Sequence, residues 1–148
     1  MDNLLIHEYS ELLTSSFFYE KIKSTHLLIF QTDSFIFKQI PQKYFNYDYI
    51  GARWPDAKKP NNYGNYCGNG GFSLRKKTAM INACLNTKRK HHPEDIFFAH
   101  AKGLHLPDVN LQHNFSLETS NEERHKKISP IGCHKFMTKN LYKKTLPN

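Results

Sequence analysis

No apolar run in this 148-residue chain comes near 18 residues, so the sequence offers no membrane-spanning helix. The opening MDNLLIHEYSELL has no basic leader, no long apolar stretch and no small-residue cleavage site; it does not read as a secretory signal. Cysteine is scarce. Cys67, Cys84 and Cys133 are an odd number at wide spacings with no CxxC, which speaks against a disulfide framework and for a reducing compartment. They leave room for a zinc site built on these Cys with one of the nine His. Seven Gly, seven Pro and 23% charged residues exclude collagen-like, coiled-coil and wholly disordered chains. Acidic charge is also short: 13 Asp and Glu face 21 Lys and Arg, a net +8.

What is present fits one globular domain over residues 1–148, long enough to bury a core. The positive excess lies in the rear. Residues 1–57 carry five basic and seven acidic residues, residues 58–120 nine and four, residues 121–148 seven and two. A basic rear half suits an anionic partner: nucleic acid, anionic lipid or a phosphorylated small molecule. No repeat and no low-complexity tract is visible.

Leu13, Phe17, Phe18 and Ile22 have helical spacing and predict a helix over 10–24. The run Leu27 to Phe30 predicts a strand buried on both faces, as in parallel or mixed α/β sheets. Short strands are expected at Tyr47–Ile50 and Phe72–Leu74, the second entered through a turn at Gly70-Gly71. Helices are expected over Lys76–Asn86 and from Pro93 towards Gly103. Residues 55–70 read as a long loop, 118–130 as a mobile polar loop and 138–145 as a short basic helix.

Several stretches carry side chains suited to chemistry. In Phe30-Gln31-Thr32-Asp33-Ser34 an Asp follows a strand, where open α/β sheets bind ligands. A carboxylate there suits Mg²⁺ or Mn²⁺ as well as a turn cap. Gly68-Asn69-Gly70-Gly71-Phe72-Ser73-Leu74-Arg75 lets a backbone approach a ligand closely and ends in an Arg that suits an acid or a phosphate. It is not a P-loop, since no Gly-Lys-Ser/Thr follows. In His92-Pro93-Glu94-Asp95 a carboxylate aimed into a cleft would make a general base, although two acids in a first helical turn also satisfy the helix dipole. His134 is a candidate nitrogen ligand, and Trp54 in YDYIGARW a ring for stacking on a sugar.

Taken in order, FQTDS, YDYIGARW, GNGGFSLR, PED and GCHKF resemble a family of glycosyltransferase-like proteins found in bacteria, plants and large DNA viruses. The likeness spans about residues 10–137. The layout is also similar to the wider GT-A glycosyltransferases, including the Fringe and β-1,3-galactosyltransferase families. That resemblance implies an α/β fold, a mixed sheet with flanking helices that forms the later part of a GT-A domain. It implies a sugar passed from a nucleotide-sugar donor to an acceptor hydroxyl. Asp33 and His134 would hold Mn²⁺ or Mg²⁺, although QTDS offers one Asp where the DxD motif has two. Asp95 would be the base, with Glu94 turned to solvent or bound to Arg75. Gly70, Gly71 and Phe72 would line the cleft, with Ser34, Trp54 and Arg75 as further donor or acceptor contacts. Lys126, Lys127 and Lys135 would close on the diphosphate.

Only about 24 residues precede the QTDS strand. The chain therefore resembles a carboxyl-terminal portion whose nucleotide-binding half is supplied by a second chain or missing. Alternatives are an inactive remnant, a non-catalytic subunit of a split enzyme, or a basic nucleic-acid-binding module. The last lacks any recognition-module signature. The expected location is cytoplasmic, or the host cytoplasm or virion if the chain is viral.

Overall fold

The computed structural model describes residues 4–53, 68–88, 93–118 and 128–135. Trp54, Cys67, His91, His92, Lys126, Lys127, most of the expected 55–70 and 118–130 loops and the expected basic helix over 138–145 lie outside them. The helix expected over 10–24 forms as two, α1 (Ile6–Leu13) and α2 (Ser16–Glu20). Between them lies a Thr14-Ser15-Ser16 run, whose hydroxyls compete with the helix ladder. Thr14 Oγ1 donates to the Ser10 carbonyl at 2.7 Å, and the Tyr19 hydroxyl donates to the carbonyl of Leu13 at 2.9 Å.

Strand β1 (His26–Phe30) follows, then β2 (Ser34–Ile36), a 3₁₀ turn (Gln42–Asn46), β3 (Tyr49–Ala52) and β4 (Asn69–Lys76). Helix α3 (Lys77–Asn86) comes directly off β4, then α4 (Glu94–His100), α5 (Val109–Phe115), β5 (Ser116–Glu118) and β6 (Gly132–His134). The class is α/β. One sheet has the order β1-β4-β3, antiparallel throughout. The other has the order β2-β6-β5, with β6 antiparallel to β2 and parallel to β5. No helix of the described residues is long and apolar enough to cross a membrane.

Helices cover both faces of the first sheet. Tyr19, Leu27, Tyr49, Met80, Phe97 and Phe98 form one core cluster, under α2, α3 and α4. Tyr44, Ile50, Phe72, Leu74, Phe115 and Ile131 form the other, under the 3₁₀ turn and α5. This explains the run at 27–30: Leu27 and Ile29 turn to the first cluster and Leu28 to the second. Yet β1 is an edge strand of an antiparallel sheet, not an interior strand of a parallel or mixed one, and Phe30 at its end is 61% exposed. An apolar run reports apolar surroundings, not the number of neighbouring strands.

The glycine-rich stretch also differs from expectation. Gly70 and Gly71 do not make a turn before the strand; they lie inside β4. Of Gly68, Gly70 and Gly71, only Gly68 has positive φ (96°). Opposite them the register with β3 jumps: Gly51 faces Ser73, and the next residue, Ala52, faces Asn69. The backbone of Gly70-Gly71-Phe72 thus bulges away from β3, as strands often do beside a binding site.

Candidate active site

Three segments converge on the bulge. The first is the turn after β1. Ser34 N–H donates to the Gln31 carbonyl at 3.0 Å, closing a four-residue β-turn with Asp33 at its third position. The turn is tied to β4: Gln31 N–H (2.9 Å) and Ser34 Oγ (2.7 Å) both donate to the Gly71 carbonyl. Ser34 therefore fastens the turn that presents Asp33, whose side chain is 52% exposed.

The second segment is β6. His134 is 3% exposed. Its Nδ1–H donates to Glu118 Oε2 at 2.7 Å, and its Nε2 lies 3.2 Å from Asp33 Oδ1. Because a carboxylate only accepts, the proton of the neutral ring belongs on Nδ1. Nε2 then turns a lone pair towards Asp33. It is buried and makes no hydrogen bond. Two lone pairs at 3.2 Å repel unless a proton on Nε2 or a metal cation lies between them. Two neighbouring ligands of an octahedral ion with bonds near 2.1 Å stand about 3 Å apart. A carboxylate on the far nitrogen is the usual support of a metal-binding His. Asp33 and His134 thus fit two positions of a divalent-ion shell, with Glu118 behind them. Among the described residues no cluster of three His, Cys, Asp or Glu surrounds one point, so water or a substrate phosphate would complete the shell. The next residue, Lys135, adopts φ 54°, a strained conformation of the kind that clusters at functional sites.

The third segment is the start of α4. Glu94 is buried and pairs with Arg75 at 2.9 Å. Arg75 is fully buried. It donates to Ser73 Oγ (2.9 Å) and the Tyr19 hydroxyl (3.1 Å), and it stacks on Tyr49 and Phe98. Arg75 therefore holds Glu94 inside the core and does not face a cleft. Phe72 likewise packs in the second cluster against Phe115. Neither is among the residues that line the cavity. Asp95, one residue on, points elsewhere: its Oδ1 accepts from Ile96 N–H at 2.8 Å. Burial first, and the neighbouring Glu94 charge second, push it up to about 6.

The bulge explains why two glycines are needed. A Cβ on Gly70 would run into the Glu94 carboxylate, and one on Gly71 into the imidazole of His134. Only a bare backbone lets both side chains come this close. Asp95, Glu94, His134, Gln31, Asn69 and Lys135 line a cavity of about 180 Å³.

Sequence reasoning missed Glu118, Tyr9 and Gln31. Glu118 stands in a polar stretch with no motif around it. Tyr9 lies one turn into α1, and only the fold brings it to the cavity. Of the described cysteines, burial pushes Cys84 up to about 11 and Cys133 up to about 12, which disfavours the thiolate that a metal needs; Cys67 lies outside the described residues. Cys133 and His134, successive on a strand, point to opposite faces.

No curated protein and no solved structure matches the chain. A family model described as "protein of unknown function (DUF5672)" matches residues 3–134, from just before α1 to the histidine of the cavity. With that much of its length matched, the chain belongs to the DUF5672 family.

Proposed function

We propose that the chain carries the metal-binding and proton-accepting part of a glycosyltransferase site, with a nucleotide-sugar donor and a hydroxyl acceptor. The observation that carries this reading is that Asp95 and His134 line one small polar cavity while Asp33, on the wall of the neighbouring hollow, comes within 3.2 Å of His134. In this reading Asp95 takes the proton of the acceptor hydroxyl, whose oxygen bonds to the anomeric carbon as the sugar–phosphate bond breaks and the nucleoside diphosphate leaves. A carboxyl raised to about 6 is a better base than an ordinary Asp and is still mostly ionised at neutral pH. Asp33 and His134 would hold Mn²⁺ or Mg²⁺, which supplies charge neutralisation for the diphosphate. Glu118 orients His134, and Arg75 keeps Glu94 turned away from the acceptor.

Calorimetry with Mn²⁺, then with a uridine or guanosine diphosphate, tests the reading. Mn²⁺ should bind the parent, and Asp33→Asn and His134→Gln should each weaken it at least tenfold while leaving the fold intact. Nucleotide binding should need the ion. Equal Mn²⁺ affinity in parent and Asp33→Asn would overturn it. In a preparation that transfers sugar, Asp95→Asn should lose about 10²- to 10⁴-fold in turnover at unchanged donor affinity. Glu94→Gln should lose far less.

A further inference from the structure

Beside the polar cavity lies a second, larger hollow of about 800 Å³. Ile6, Tyr9 and Gln31 line both, so the two are adjacent, with these side chains between them. Their chemistry differs. The larger hollow is walled by Leu4, Ile6 and Phe30, which are 54%, 85% and 61% exposed. They come from two separate places, the lead-in to α1 and the end of β1, and they meet around one trough. Large apolar side chains gathered in this way usually mark a surface that something covers. The trough has the size of a small-molecule site. Asp33 is the one charged residue among the described residues of its wall.

Tyr9 stands at the junction. Its hydroxyl is buried and has the Gln31 side chain as a weak hydrogen-bond partner. A polar group of a ligand passing from trough to cavity would add a second bond.

We infer that the trough is an acceptor subsite and that the acceptor is an amphiphile. Its apolar body lies on Leu4, Ile6 and Phe30, and its hydroxyl end passes Tyr9 to reach Asp95. The inference rests on the sugar-transfer reading of the adjoining cavity. A protein partner fits less well, because a flat protein surface would cover the apolar rim without reaching the Tyr9 hydroxyl inside.

The test uses the full chain, without metal or donor. Binding of octyl glucoside below its micelle concentration is compared with binding of methyl glucoside, by calorimetry and by amide chemical shifts. The octyl compound should bind at least tenfold tighter, with shifts at Ile6, Tyr9 and Phe30. The double variant Ile6→Ser/Phe30→Ser, both changes at exposed positions, should erase that preference with an unchanged circular dichroism spectrum. Tyr9→Phe should weaken both glucosides while keeping the octyl preference. Equal affinity for the two glucosides overturns the inference and leaves the metal and donor tests above untouched. A fall in oligomeric state in the double variant also overturns it, since the rim is then a protein interface. Octyl preference in a chain that binds neither Mn²⁺ nor nucleotide upholds the apolar subsite and removes the transferase.

Discussion

Asp95 shows how one residue can be unfavourable for the fold and yet suited to the role proposed for it. Its folded carboxyl titrates near 6, above the ordinary 3.8, because burial and then Glu94 disfavour the charge. The folded state therefore holds the proton more tightly than the unfolded chain. The stability this confers is complete below about pH 4 and is lost as pH rises through 6. Asp95→Asn should consequently raise the melting temperature at pH 7, with the difference fading as pH falls to 4. Circular dichroism melts across that range check it; a variant less stable than the parent at pH 7 would contradict the assignment. The glycines act in the opposite sense. Gly71→Ala drives a methyl into the His134 ring, and overpacking of this kind costs about 1–3 kcal/mol. Urea midpoints measure it. Both effects depend on neighbours that are distant in sequence. The motif GNGG is plain in the sequence, whereas Glu94 and His134 as the reason for it are not.

At the scale of elements, the link between the β1–β2 turn and β4 matters most. Ser34 joins Gln31 N–H and the Gly71 carbonyl through one hydroxyl. Ser34→Ala should cost about 1 kcal/mol. It should weaken Mn²⁺ binding more than that loss of stability alone would, because the turn carrying Asp33 loosens. A variant that is destabilised but keeps full metal affinity would reduce Ser34 to a fold contact. Helix α4 has a similar arrangement. Arg75, from β4, anchors Glu94 and thereby sets the rotation of the helix that aims Asp95. Glu94→Ala leaves a fully buried guanidinium without its carboxylate, and loss of one partner from a buried pair costs about 3–5 kcal/mol. Denaturant unfolding should show Glu94→Ala well below Glu94→Gln, whose amide oxygen still accepts from Arg75.

Over the whole molecule, the site lies where the two sheets meet. Asp33 stands on the turn leaving the first sheet, and His134 and Glu118 belong to the second. A ligand gripping both sides should tighten the pair. Saturating Mn²⁺ is therefore expected to raise the melting temperature of the parent, by an amount that grows with the logarithm of its concentration. The rise should vanish in Asp33→Asn. A rise of equal size in that variant would place the ion elsewhere.

The sequence by itself determined the local features. Helix α3 and its buried face at Met80 and Ala83, the start of α4 after Pro93, and strands near 27–30 and 72–74 all follow from patterns a few residues long. So do the candidates Asp33, Asp95 and His134. Such patterns could not show that β1 is an edge strand, because an apolar run looks the same wherever both faces are covered. They did not reveal β2, β5 or β6, whose three residues each are too few to show a period. The family resemblance already favoured Asp95 over Glu94, and side chains one residue apart on a helix diverge by about 100°. The tertiary structure shows that both line the cavity and that only Glu94 is paired with the buried Arg75. It also decided that Arg75 and Phe72 serve the core, and that Glu118, far from any motif, orients His134. Which polar groups are paired, and with what, is a property of the packed chain, and patterns a few residues long do not carry it.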